Sequence, residues 1–440
     1  MTERLLISNA RLVDPETGRD EPGSLALADG RIVAAGARGP SDFTPERSLD
    51  AGGAVVAPGL VDLCARLGEP GHEHDSLLES ELAAAVAGGV TSLVCPPDTD
   101  PVLDEPGLVE MLKFRTRGLD LARVFPLGAL TRGLAGEALT EMVELTEAGC
   151  VGLGQADAPL RDTLVLHRAL QYAATFGFTT WLRPNEAWLG GGVAAKGPLA
   201  TRMGLAGVPV LAETIALATV FELVRDTGAR VHLSRLSSAA GVELVRRAKV
   251  EGLPVSCDAS IHNLHLIDVD IGYFDAAMRL VPPLRQQRDR DAIRAGLADG
   301  TIDALVSDHT PVTEDEKHLP FAEASPGATG LELLLGLALK WGAASGLGLG
   351  QTLGPVTSRP CAVLACSSRS AADAPRGLAV GAPADLCVFD PTASWQLDPS
   401  RLHSRSRHTP FDGNELLGRV RWTLVAGRVA HEADAESGSR

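Results

Sequence analysis

Residues 302–311, IDALVSDHTP, and residues 55–67, VVAPGLVDLCARL, are nearly continuous apolar runs that contain only a few charged residues. Six further apolar runs lie between them, at residues 90–98, 123–130, 150–157, 178–186, 230–238 and 254–260. Amphipathic stretches separate most of these runs. Buried parallel strands have this continuous apolar character, and each is followed by a crossover helix. Eight such units predict an α/β protein with a (β/α)8 barrel, whose functional side chains sit at the carboxyl ends of the strands.

The two chain ends have a different pattern. Residues 1–54 alternate short polar and apolar runs between turn residues, and the pattern returns at about residue 376, which predicts antiparallel β-structure at both ends. Each end is too short to bury a good core alone. We therefore expect a composite β-sandwich of residues 1–54 and 376–432 beside a barrel of residues 55–375. A disordered tail is expected for residues 433–440.

The bulk composition excludes several classes of partner. A net charge of −16 argues against binding to nucleic acid or to an anionic membrane, because both need clustered Lys and Arg. No stretch of 18 apolar residues occurs, so no membrane span is predicted. The seven cysteines show no paired spacing. A reduced, cytoplasmic chain is the expectation.

Several strings resemble one family in both their order and their spacing. APGLVDL at 57–63, the EPG that follows at 69–71, VPPLR at 281–285 and DGTIDALVSDHTP at 299–311 are similar to dihydroorotases and related cyclic amidohydrolases. PGATGLE at 326–332 and residues 404–429 extend the likeness over nearly the whole chain. The resemblance implies a barrel with a β-sandwich. In active members it implies zinc-assisted opening of dihydroorotate or closing of carbamoyl aspartate.

The zinc positions of active relatives are largely vacated in this chain. They correspond here to Cys64, Arg66, Ala156, Arg183, Arg235 and Asp308. Zinc needs imidazole, carboxylate or thiolate ligands, and a guanidinium has no free lone pair to offer. Asp308 is thus the one position clearly kept, with Cys64 a possible second. We expect no bound metal or other cofactor.

The positions that the resemblance assigns to substrate contacts are also lost. Gly68 stands where the family has an Arg for the substrate carboxylate, Val281 where it has an Asn, and Val312 where it has a His. Asp157 lies one residue beyond the fourth-strand ligand position. A one-residue slip on a strand reverses the direction of a side chain, so Asp157 is expected to face away unless a bulge intervenes.

The three arginines at vacated positions suggest two hypotheses. Loss of a dication leaves the carboxylate of Asp308 partly buried and unpaired, which is costly. Arg66, Arg183 and Arg235 could fill the old metal cavity and pair with Asp308 as a structural plug. Alternatively, they could form an anion site for phosphate or a carboxylate. The plug requires a guanidinium nitrogen within about 4 Å of Asp308.

The remaining candidates favour structural interpretations. His72 and His74 follow the EPG string and are expected on a solvated loop. His232 and His309 are expected to face away from the vacated site, because each is an odd number of residues from a position that faces it. His262 and His265 could reach the barrel mouth but form no recognisable constellation. For Cys64, packing in the barrel is favoured over a role as a nucleophile.

The functional expectation rests on resemblance. LRP at 182–184 and HLSRLSS at 232–238 are similar to non-catalytic dihydroorotase-like chains that assemble with aspartate transcarbamoylase in some bacteria. This implies a pseudo-enzyme that organises transcarbamoylase catalytic chains, together with self-association. The alternatives are an active dihydroorotase or related zinc cyclic amidohydrolase with an atypical site, and a stand-alone homo-oligomer.

Overall fold

Both chain ends contribute to one eight-stranded sheet. The computed structural model describes residues 4–37, 42–367 and 377–433. The strands of this sheet are β1 (Leu5–Asp14), β2 (Arg19–Ala28), β3 (Arg31–Gly36), β4 (Arg47–Asp50), β5 (Val55–Pro58), β17 (Leu386–Gln396), β18 (Glu415–Val425) and β19 (Arg428–Glu432). Their order is β19-β18-β17-β5-β1-β2-β3, with β4 beside β1. The antiparallel pairing of β5 with β17 joins the two ends, as the composite sandwich requires.

The apolar run at 55–67, expected to be a single barrel strand, is divided between the two units. Val55–Pro58 pairs with β1 and β17 in the terminal sheet, and the barrel begins at Leu60. Gly59 lies between them, where a Cβ atom would stand 2.1 Å from Oγ1 of Thr91. The junction between the two units therefore falls at this glycine and not at 54/55. The second expected boundary, at 375/376, and the tail from residue 434 lie outside the described residues.

The predicted (β/α)8 barrel is confirmed. Its strands are β6 (Leu60–Asp62), β7 (Val90–Cys95), β8 (Arg123–Pro126) continued by β9 (Gly128–Ala129), β10 (Leu153–Gly154), β11 (Thr179–Leu182), β14 (Arg230–Leu233), β15 (Val255–Ser260) and β16 (Ala304–Val306). Neighbouring barrel strands pair in parallel. A parallel bridge between Ala65 and His309 brings the first and eighth strands together beyond their named ends.

Helices surround the barrel. They are α1 (Leu78–Ala87), α2 (Pro106–Arg117), α3 (Met142–Ala148), α4 (Thr163–Phe176), α5 (Pro198–Met203), α6 (Val210–Thr227), α7 (Ala239–Glu251), α8 (Ile261–His265), α9 (Gln287–Asp299), α10 (Glu314–Lys317), α11 (Leu334–Ala344), α12 (Leu349–Leu353) and α13 (Ser358–Ser367). A short parallel pair, β12 (Ala194–Ala195) and β13 (Gly207–Val208), lies between α4 and α6 in the chain. Among the helices so described, none combines the length and apolar composition needed to span a lipid bilayer.

A buried ion pair links the barrel to the terminal sheet. Asp385 accepts hydrogen bonds from Nε and Nη2 of Arg123 at 3.0 and 3.1 Å, and from the backbone N–H of Ala426 at 2.6 Å. Its carboxylate is fully buried. A second pair, between Arg428 and Asp120, crosses the same boundary, but both of its side chains are more than half exposed.

We expect Asp385→Asn to lower the free energy of unfolding by about 2 kcal/mol or more, because it removes the charge of a buried carboxylate that pairs with the partly buried guanidinium of Arg123. Asp120→Asn is the matched control at the exposed pair and should have a much smaller effect. Chemical denaturation of both variants measures the difference. Equal losses would contradict the assignment of Asp385 as the main electrostatic link between sheet and barrel.

Candidate functional site

The candidate site occupies the carboxyl ends of the barrel strands, and its backbone is unusual there. Ala156, Arg235 and Asp308 follow the fourth, sixth and eighth strands with φ values of 47°, 58° and 52°. Non-glycine residues rarely adopt this left-handed conformation, which costs about 1 kcal/mol or more each. The surroundings hold it in place: the backbone N–H of Arg235, for example, donates to Asp258 Oδ1 at 2.7 Å. Strain at three strand ends marks this as a specialised region.

Asp157 lies at the centre of the site, so the expectation that it faces away is wrong. Its carboxylate pairs with Arg66 Nη2 at 2.8 Å, with Arg235 Nη2 at 2.5 Å and with Arg183 Nε. The physical reason is local. The strand β10 ends at Gly154, and the left-handed backbone of Ala156 ends the strand alternation, so that Asp157 reaches the cavity.

Arg66 spans the mouth of the barrel from the first strand. Besides Asp157, it binds Oδ2 of Asp98 through Nε at 3.0 Å and Nη2 at 2.8 Å. Its Nη1 donates to Oγ1 of Thr310 at 3.0 Å. Sequence reasoning missed Asp98 and Thr310. Both residues come just after a barrel strand, the second and the eighth. Because these strand ends converge in a barrel, their positions in the sequence could have identified them as residues of the site.

Asp308 pairs with an arginine, so the geometric condition for the plug is met. Nη1 of Arg235 lies 3.0 Å from Oδ1 of Asp308, and both side chains are nearly fully buried. The Sγ atom of Cys64 lies 4.0 Å from the same oxygen. Burial raises the pKa of the Cys64 thiol well above its ordinary value, despite Arg235 nearby. A neutral, packed thiol agrees with the structural interpretation of Cys64.

The charges of this arginine–aspartate cluster are matched. Three guanidinium groups (Arg66, Arg183 and Arg235) face three carboxylates (Asp98, Asp157 and Asp308), so the cluster has no net charge when all six are ionised. Burial alone would raise the pKa of Asp157, but the three arginines hold it well below its ordinary range. Burial raises the pKa of Asp308, against the opposing effect of Arg235.

The three lost substrate positions have structural roles. Gly68 has φ of 75°, and a Cβ atom there would lie 2.2 Å from Oγ of Ser76, so no side chain fits. The carbonyl of Val281 accepts a hydrogen bond from Nη1 of Arg235 at 3.2 Å. Val312 is buried, and its backbone N–H and C=O both bond to the hydroxyl of Ser406. None of the three offers a side-chain group that could hold a substrate carboxylate.

In two histidines of the barrel, both ring nitrogens have hydrogen-bond partners outside the arginine–aspartate cluster. His232 is buried between Asp258, at 2.9 Å from Nε2, and Ser256, at 2.8 Å from Nδ1. His309 places Nε2 at 2.7 Å from Glu81, and its Nδ1 accepts from the backbone of Gly330. Both therefore stabilise the scaffold and do not face the arginine–aspartate cluster.

His262 and His265 pack against Phe411 of the C-terminal segment. Burial lowers the pKa of each imidazole to about 3, so both are neutral at physiological pH. They lie in the α8 helix after the seventh strand and contribute to its packing.

One other group has metal-ligand spacing. His72, His74 and Asp75 bring one ligand atom each within 4.8 Å of one another, and within the described ranges this is the one such group of three or more side chains. The two imidazoles are 47% and 65% exposed, which agrees with the solvated loop expected for them.

The residues at the strand ends do not fit catalytic zinc. Zinc binds lone pairs of imidazole, thiolate or carboxylate, whereas three of the six aligned positions here present guanidinium donors with positive charge. The carboxylates that remain, on Asp157 and Asp308, are already neutralised by these arginines. A dication would have to displace the guanidinium groups before it could be coordinated.

Comparison with known proteins supports the fold and assigns the family. Residues 53–241 match the family described as Dihydro-orotase-like. A Dihydroorotase-like protein of Pseudomonas aeruginosa is 43% identical over 428 residues, which cover 97% of this chain and 99% of that protein. A Geobacter protein named Dihydroorotase is 37% identical over 431 residues, covering 98% and 99%. The structure of the L-hydantoinase (dihydropyrimidinase) from Arthrobacter aurescens superimposes with a TM-score of 0.84, at 25% identity, covering 98% and 96%.

The barrel and the composite sheet together place the chain in the structural class of the cyclic amidohydrolases. Identity of 37–43% over nearly the full length makes the assignment more specific. The chain belongs to the dihydroorotase-like family.

We expect Asp157→Asn to lower the free energy of unfolding by about 3 kcal/mol, because it leaves guanidinium charge uncompensated. In a double-mutant cycle with Arg235→Met, the coupling should be about 1–3 kcal/mol.

The stability of the cluster should also depend on pH, because the pKa of Asp157 is lower in the folded state than in the unfolded state. Its contribution is thus complete above the unfolded value of about 3.9 and is lost as pH falls below it.

The matched control for this cycle is the exposed pair of Arg225 and Glu251, which is joined by two hydrogen bonds of 2.6 and 2.7 Å. Its coupling should be much smaller, because solvent screens it. If the Asp157–Arg235 coupling does not exceed that of the control pair, the cluster has no special structural role.

Proposed function

We propose that this protein is a non-catalytic dihydroorotase-like chain that acts as a structural partner of the aspartate transcarbamoylase catalytic chain in pyrimidine biosynthesis. The proposal that the chain is non-catalytic rests on the arginine–aspartate cluster. Arg66, Arg183 and Arg235 stand at family metal positions and are ion-paired with Asp157 and Asp308. A guanidinium group stays protonated, so it has no lone pair with which to bind a metal.

The lost substrate contacts support the same proposal independently. Even with a metal supplied, the carboxylate of dihydroorotate would meet Gly68, Val281 and Val312 in place of the polar side chains implied by the family. Backbone contacts with Ser76 leave no room for a side chain at Gly68. Restoring activity would therefore require changes in two separate sets of residues.

The partner is proposed from resemblance. The strings at 182–184 and 232–238 are those similar to transcarbamoylase-associated chains, and they contain Arg183 and Arg235 of the cluster. The relative in Pseudomonas aeruginosa is named a Dihydroorotase-like protein. Under this proposal the retained barrel supplies surface for assembly in the cytoplasm, including contacts between copies of this chain.

One alternative has its own support. Proteins 36–38% identical to this chain over nearly their full length are named Dihydroorotase. An active dihydroorotase would have to release Asp157 and Asp308 from their arginines and recruit zinc to an atypical set of ligands. The two functions are separated by turnover.

We expect purified protein with excess zinc to show no dihydroorotate hydrolysis, and no cyclisation of carbamoyl aspartate, above an Asp308→Ala variant. The reason is that neither a metal nor the substrate carboxylate has its ligands. An active enzyme would exceed this variant by about a hundredfold or more, because Asp308 would be its general base. Such an excess would establish the alternative.

We expect the protein to co-elute with the aspartate transcarbamoylase catalytic chain of the same organism. Size-exclusion chromatography with light scattering would show a single complex heavier than either chain alone. Transcarbamoylase activity should rise when the two are mixed, since the proposed role is to organise the catalytic chains. Separate elution of both chains, with unchanged activity, would refute the partnership while leaving the inactivity of this chain untouched.

A further inference from the structure

A cavity beside the arginine–aspartate cluster has an excess of positive charge. Its volume is about 220 Å³, and its walls include Arg183, Arg235, Arg279, Arg285 and Glu213. Arg183 and Arg235 also bind Asp157, so their charge is partly neutralised. Arg279 and Arg285 differ, because neither has a carboxylate within 4 Å among the described residues.

Arg279 has hydrogen-bond donors that are not used. Its Nε and Nη1 atoms are buried and have no acceptor within the described part of the chain. Its backbone is held firmly, since its carbonyl accepts from Nζ of Lys317 at 3.2 Å and from the N–H of Gly327 at 3.1 Å. Burial lowers the pKa of the Arg279 guanidinium. Leaving such donors without an acceptor is energetically costly.

Arg285 is 5% exposed and bonds only to neutral acceptors in the described structure. Its Nε donates to Oγ of Ser237 at 2.8 Å, and its Nη1 donates to the carbonyl of Val208 at 3.4 Å. A buried guanidinium is normally paired with an anion. Arg285 therefore has no direct anionic partner among the described residues.

Glu213 supplies one negative charge to the cavity wall, but it pairs directly with neither Arg279 nor Arg285 in the described structure. Its two oxygens accept four hydrogen bonds from the backbone N–H and hydroxyl groups of Ser237 and Ser238, at 2.5–3.1 Å. Oγ of Ser237 also accepts from Nε of Arg285, so Glu213 reaches Arg285 only through this hydroxyl. Within the cavity wall, one carboxylate thus stands against four guanidinium groups. The Nε atom of Arg235 is also buried and has no acceptor among the described residues.

We propose that this cavity binds a small oxyanion with two negative charges, a phosphate group or a short dicarboxylate, held by Arg279 and Arg285. Guanidinium groups recognise both ligands by paired, charge-assisted hydrogen bonds. The cavity is smaller than the roughly 300–1,000 Å³ typical of drug-sized ligands, which favours a ligand of only a few heavy atoms. The proposal does not depend on the transcarbamoylase partnership.

The experiment is isothermal titration calorimetry of the purified protein with inorganic phosphate and, separately, with succinate, at constant ionic strength. Saturable one-to-one binding of phosphate assigns the site to phosphoryl groups, and saturable binding of succinate assigns it to dicarboxylates. Arg279→Gln should weaken binding by about tenfold or more, because it removes charge-assisted hydrogen bonds. Because Arg279 is only half-buried, its replacement should disturb folding less than replacement of Arg285 would.

The matched control is Arg168→Gln, which removes the same charge from an exposed position on α4. It should leave the affinity unchanged. The proposal is overturned if neither anion binds saturably in the millimolar range. It is equally overturned if Arg279→Gln binds as tightly as the wild type, or if both variants lose affinity to the same extent. Circular dichroism confirms that each variant is folded.

Discussion

The carboxylate of Asp157 is the constraint on which the barrel mouth depends. It receives guanidinium groups from the first, fifth and sixth strand ends, through Arg66, Arg183 and Arg235. Its neighbours extend the network to Asp98 after the second strand and Asp308 after the eighth. Six of the eight strand ends are thereby tied together by charge-assisted bonds, which are stronger than neutral ones and directional.

This arrangement concentrates charge at the barrel mouth through side chains alone. A dication held by carboxylates and imidazoles provides concentrated charge and an open coordination position for chemistry. Guanidinium groups provide charge as well, but they donate hydrogen bonds in fixed directions and offer no coordination position at which a water molecule could be activated. The ion pair of Arg235 with Asp308 joins the sixth and eighth strand ends of the barrel. Under the proposed non-catalytic function, the surface and the neighbouring cavity remain available for binding.

Much of this could be predicted from sequence, because apolar runs and substituted ligands are local features. The barrel, the contribution of both chain ends and the pairing of Asp308 with an arginine all follow from residue types and their order. The direction of Asp157 could not be predicted, because it depends on the left-handed backbone of Ala156, which tertiary contacts impose. The division at Gly59 was missed for a similar reason, since strand pairing decides which sheet receives Val55–Pro58.

The cluster and the cavity are electrostatically opposite although they share Arg183 and Arg235. On one side, three carboxylates match three guanidinium groups; on the other, Arg279 and Arg285 have no described carboxylate partner. Ion pairing explains the first, because the carboxylates of Asp157 and Asp308 need counter-charges in the barrel mouth. It does not explain the second, since Arg279 forms no ion pair among the described residues. Buried guanidinium donors that have no acceptor among the described residues point to a ligand that binds in this cavity.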